Sequence, residues 1–138
     1  MNILESLYQE ALTRGIAVED YSLPQSLAFA VQVGGKCYIG IDRSRIPTSY
    51  EEAECLAHEL GHYETGSFYA LGERSRKKDE KRADEWAIRR LVPLKRFSAA
   101  CRLGCREIWE FAEELNISYP FAEKVMTYYL AKQPGECR

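Results

Sequence analysis

The sequence predicts an α+β fold: a small antiparallel β-sheet packed on a metal-binding helix, followed by a helical C-terminal part. Three observations predict it. Two short runs of alternating hydrophobicity, Leu27 to Val33 and Lys36 to Asp42, flank a Gly-Gly pair. Most of the remaining chain carries apolar residues at helical spacing. One of those helical segments contains His58-Glu59-Leu60-Gly61-His62, with both of the chain's histidines.

The elements follow in order. From Asn2 to Arg14, residues Ile3, Leu4, Leu7, Tyr8, Ala11 and Leu12 recur at helical intervals, and Gly15 stops the helix. A loop is expected from Ala17 to Gln25, with Pro24 inside it. The two strands then pair as a hairpin, because Gly34-Gly35 supplies the positive φ that a two-residue turn needs. Ser49-Tyr50-Glu51-Glu52 has the capping-box form, so the next helix is expected to start there. Its apolar side carries Ala53, Leu56, Ala57 and Leu60, and it ends near Gly66.

Residues 67–78 form a connection that turns basic at Arg74, Arg76, Lys77 and Lys78, read here as a solvated stretch rather than a nucleic-acid contact. A helix is expected from about Lys78 to Leu91, with Ala83, Trp86, Ala87 and Leu91 apolar, and Pro93 ends it or lets the next one begin. Three further helices are expected, at about 94–103, 106–115 and 120–132. With no repeat and no linker, 1–138 reads as one domain, a catalytic part at 1–95 and a helical extension at 96–138.

Composition narrows the setting. At 138 residues with 46% hydrophobic content, the chain can bury a core of its own. A formal charge of −2 gives no support to binding nucleic acid or an anionic membrane by bulk charge. No apolar run is long enough to span a bilayer and no secretory segment is evident, so a cytoplasmic location is expected. Among the five cysteines, Cys101 and Cys105 share a helix face and read as free thiols rather than metal ligands.

The chemistry sits in the histidine motif. Helical residues four apart lie on one face, so His58 and His62 can grip one ion together, with Glu59 placed to take a proton from an attacking water. This is the arrangement of zinc hydrolases. A catalytic zinc needs a third protein ligand. No other histidine exists, so that ligand is a carboxylate or a thiolate. Glu80 and Asp84 share one face of the following helix, where Ala83 and Ala87 are small enough to let it lie close. Glu80 is the candidate ligand, and Asp84 the acceptor for the outer N–H of one histidine. Glu73 and Glu85 stay open as substitutes for Glu80, and Asp84 as the ligand itself. Tyr63 and Tyr69 are near enough in sequence to stabilise an oxyanion.

Leu56-Ala57-His58-Glu59-Leu60-Gly61-His62, Glu80 with Asp84, Trp86-Ala87 and Leu91-Val92-Pro93 together resemble the ImmA/IrrE metallopeptidases of bacteria and their mobile elements. The resemblance covers roughly residues 27–93. It implies a zinc metallo-endopeptidase that cleaves a helix-turn-helix repressor of a prophage or mobile element, with Glu80 in the position of that family's third ligand. It also implies that 108–130 has the rhythm of a helix-turn-helix remnant. The acidic and aromatic residues there favour packing or partner contact over DNA reading. Unlike longer members, no sensory domain is expected to follow, so direct signal sensing by this chain is not expected. Two other readings remain: a non-catalytic, zinc-stabilised interaction module, and a peptidase of broader range.

Overall fold

A computed structural model describes residues 2–22, 26–66 and 76–132. In chain order these form helix α1 (Ile3–Thr13), strands β1 (Ala17–Asp20), β2 (Ala28–Val33) and β3 (Lys36–Ile41), and a short 3₁₀ turn at Arg43–Arg45. Helices α2 (Ser49–Thr65), α3 (Arg76–Leu91), α4 (Leu94–Arg102), α5 (Ile108–Leu115) and α6 (Tyr119–Lys132) follow. The fold is α+β. The chain divides into two compact units, Met1–Ala87 and Ile88–Arg138. The division falls inside α3.

The first unit is built on the hairpin. β2 and β3 pair antiparallel from Ala28↔Ile41 to Val33↔Lys36. Gly34 and Gly35 turn the chain with φ of 57° and 82°, a backbone that side-chain-bearing residues resist. β1 then adds on the other side of β3, parallel to it, from Ala17↔Tyr38 to Asp20↔Ile41. The sheet is therefore mixed and three-stranded, and half of the expected 17–25 loop is a strand. The reason is chemical: Ala-Val-Glu-Asp is short, has little β preference and is half exposed, so only pairing with β3 makes it a strand.

Alternation puts Ala28, Ala30, Ile39 and Ile41 on one face of the sheet, all buried. α2 packs on β2 and β3, and α1 packs on α2. Leu7, Ala11, Ala53, Leu56, Ala57 and Leu60 complete this core. A polar knot ties the outer edge. The Tyr8 hydroxyl donates to Glu52, and Arg43 donates to that hydroxyl from Nη2 at 2.7 Å and Nε at 3.0 Å.

The second unit is helical. Phe97 of α4 is fully buried and stacks on Phe111 of α5 and Tyr129 of α6, with centroids 5.1 and 5.0 Å away. The Tyr129 hydroxyl donates to the Val92 carbonyl at 2.6 Å. Arg96 donates to the Leu91 and Leu115 carbonyls, satisfying backbone groups at two helix ends. Cys105 is a free thiol, but Cys101 is disulfide-bonded, so the expectation of a thiol fails there. No helix among the described residues is long and apolar enough to cross a membrane.

Candidate metal centre

α2 begins one residue earlier than the capping-box pattern suggests. Thr48, not Ser49, is the N-cap: its hydroxyl accepts from the Glu51 N–H at 3.2 Å and donates to the Glu51 carboxylate at 2.7 Å. Glu51 and Glu52 in the first turn suit the positive end of the helix dipole. With Ala53, Leu56, Ala57 and Leu60 held in the core, the helix has one orientation, and this fixes where the histidines project. Their rings meet edge to face with centroids 4.9 Å apart. His62 is fully buried and His58 half-buried.

α3 supplies the carboxylates, and it can do so because it lies very close to α2. A Cβ added at Gly61 would come within 2.7 Å of the Ala83 carbonyl oxygen and 3.0 Å of its Cα. Backbone atoms cannot swing aside, so the approach needs glycine at 61 as well as alanine at 83. Sequence reasoning found Ala83 and Ala87 but missed Gly61. Its signal was a residue without a side chain, one step before the second histidine.

The close approach brings Glu80 between the two imidazoles. Glu80 Oε1 lies 2.8 Å from His58 Nε2, and Oε2 lies 3.0 Å from His62 Nε2. The second contact is an ion-pair distance without hydrogen-bond geometry. On its other side, His58 Nδ1 lies 2.8 Å from Asp84 Oδ1. Of the two histidines, His58 is the one within hydrogen-bond distance of Asp84.

These distances carry a charge requirement. Carboxylate oxygens only accept, and a neutral imidazole donates from one nitrogen only. If Nδ1–H serves Asp84, either a second proton or a metal cation has to lie between His58 Nε2 and Glu80. Burial draws the His58 pKa down. The hydrogen bond to Asp84 and the charges of Glu59, Asp84 and Glu80 outweigh it and hold the group above its ordinary value.

The donor set also fits a metal. His58, His62 and Glu80 each present one ligand atom, all within 4.8 Å of one another, and no other such group exists among the described residues. A tetrahedral ion with ligands at about 2.0–2.1 Å separates its ligand atoms by roughly 3.3 Å. The 2.8 and 3.0 Å carboxylate–imidazole distances, made by the two Glu80 oxygens, are near that value, and no two ligand atoms are more than 4.8 Å apart. A metal ion can be held here.

The remaining candidates sort by position. Glu59, beside His58, is 3% exposed, and its charge acts on both His58 and Cys55. The Cys55 thiol is pushed up to about 11, chiefly by burial and then by Glu59, Glu54 and other carboxylates. Cys55 is not part of the ligand group. Glu85 lies on α3 outside the ligand group. Tyr63 is half-buried in the last turn of α2. Glu73 and Tyr69 lie outside the described residues. Compared with known proteins, the chain matches no family model, no curated protein and no solved structure, so the geometry stands by itself.

Proposed function

We propose that this chain is a zinc-dependent endopeptidase, with His58, His62 and Glu80 as metal ligands, Glu59 as general base and Asp84 orienting His58. The convergence of three ligand atoms within 4.8 Å, one residue from a buried carboxylate, carries the reading. Zinc in such a site lowers the pKa of water toward neutrality and polarises the carbonyl to be attacked. Glu59 takes the proton from the attacking water and passes it to the leaving amine. Asp84 holds the proton on His58 Nδ1, which leaves Nε2 as the ligand atom. Two imidazoles with one carboxylate suit zinc by donor type.

An extended peptide also has a place to lie. β3 is the central strand, so β2 is a sheet edge on the side that packs against α2. Strand addition there would hold a substrate by its main chain. The resemblance to ImmA/IrrE metallopeptidases extends the proposal to a helix-turn-helix repressor of a prophage or mobile element as substrate, cleaved in the cytoplasm.

The test pairs zinc content with cleavage of a candidate helix-turn-helix repressor. Glu59→Gln is expected to retain zinc and to cut about 10²–10⁴-fold more slowly than wild type. An intact repressor under every condition, or a Glu59→Gln protein as active as wild type, would sink the reading. A protein whose regulatory effect survives Glu59→Gln but is lost in His58→Ala is instead a zinc-stabilised interaction module. Glu80→Ala should lose zinc; undiminished zinc refutes Glu80 as the ligand.

A further inference from the structure

α3 carries two parallel rows of side chains. Glu80 and Asp84 form one row and turn toward the imidazoles. Lys77 and Lys81 form the next, each three residues before one of those carboxylates and hence its neighbour on the helix surface. Lys78 and Arg82 continue the basic face, and all four side chains are exposed. Because Glu80 and Asp84 are engaged with the histidines, they do not neutralise the lysines beside them. Among the described residues, Lys77, Lys81 and Arg82 make no hydrogen bond or ion pair, not even Lys81 with Glu85 four residues on. The facing helix differs: on α2, Glu51, Glu52 and Glu64 are held by Thr48, by Tyr8 and Arg43, and by Arg14.

This arrangement works against the stability of α3. Lys77 and Lys81 are like-charge neighbours one turn apart, which repel. Lys77 also stands in the first turn, where the helix dipole disfavours cations and Asp79 offsets this only in part. An anionic group laid along the face relieves both costs, whereas water relieves them only by screening. The chain as a whole is slightly acidic, so the basic face is a local feature beside the metal ligands and not a general attraction for polyanions.

We propose that Lys77 and Lys81 form a cationic lip beside the metal ligands that takes aspartate or glutamate side chains of a peptide substrate close to its scissile bond. The inference rests on the endopeptidase reading and narrows its substrate to segments with acidic flanks. Each carboxylate ion-pairs with an ammonium group in partly screened surroundings, so the effect is moderate and salt-dependent.

Binding and cleavage are measured separately, with the full chain loaded with zinc. Fluorescein-labelled peptides share one neutral core and carry glutamate, glutamine or lysine flanks. Anisotropy with the Glu59→Gln protein reads binding; wild-type protein with quenched versions of the same peptides reads cleavage. The glutamate-flanked peptide is expected to bind about tenfold more tightly than the lysine-flanked one, with the preference fading as salt rises. The double variant Lys77→Glu/Lys81→Glu should reverse the preference while keeping wild-type zinc content and circular dichroism. Equal affinity for all three peptides, or a preference untouched by the reversal, overturns the proposal. So does tighter binding of a DNA duplex or single-stranded RNA than of the acidic peptide, since the face would then serve nucleic acid. Acidic preference in binding, with no cleavage of any peptide by wild type, upholds the lip and defeats the endopeptidase reading.

Discussion

The two units bury different chemistry. The buried polar residues among those described, Asp42, Glu59 and His62, all lie in Met1–Ala87. In Ile88–Arg138 the interior is apolar, with Phe97 stacked between Phe111 and Tyr129, and its polar groups serve helix ends. Burying a carboxylate and an imidazole costs free energy that apolar packing does not, and is tolerated where partners or function compensate. The first unit buries ionisable groups beside its apolar core; the second buries aromatic and aliphatic side chains.

That contrast can be broken most sharply at Phe97. Phe97→Ala removes the ring on which the second unit stacks and should cost about 3–5 kcal/mol, read by urea denaturation followed by circular dichroism. A loss under about 1 kcal/mol would show that the stack does not anchor this unit. In the first unit the sharper response should be functional. Asp84→Ala leaves His58 Nδ1 without its acceptor, and zinc affinity should fall about 10–100-fold in competition with a chelating dye. Unchanged affinity would mean that His58 is oriented by its neighbours alone.

A smaller effect appears at high pH, and it touches both units. Burial, then the hydrogen bond to Glu52, pushes Tyr8 up to about 12, with Arg43 opposing. Tyr129 also reaches about 12, mainly by burial, with Tyr128 adding to it. A phenol whose pKa is raised by folding binds its proton more tightly in the folded state. Its contribution is therefore complete below the unfolded value near pH 10 and is lost as pH rises toward 12. Tyr8 is only half-buried, so its share is about 1 kcal/mol after screening. Stability of wild type should fall between about pH 10 and 12, and Tyr8→Phe and Tyr129→Phe should each flatten part of that slope. A slope that neither variant changes would place the alkaline titration elsewhere.

Much of the fold is legible in the sequence because its signals are local. The Gly34-Gly35 turn, the apolar spacing of α2 and the stop at Pro93 each lie within a few residues of what they determine. β1 escapes because Ala17–Asp20 becomes a strand only through β3, some twenty residues away. The N-cap at Thr48 escapes by one position because Thr48 and Ser49 both bring a hydroxyl to the start of a helix, and backbone φ and ψ decide between them.

At the site, the sequence by itself determined the donor inventory: two imidazoles one turn apart, Glu59 between them, and Glu80 with Asp84 on one face of a later helix. Helical periodicity is enough for that, since it relates residues within a single element. Only the tertiary structure decided which carboxylate meets which nitrogen. That depends on the distance between α2 and α3, which Gly61 and the Ala83 backbone set by direct contact. Close packing between elements is a steric fact about two surfaces, and no periodicity along one chain segment contains it.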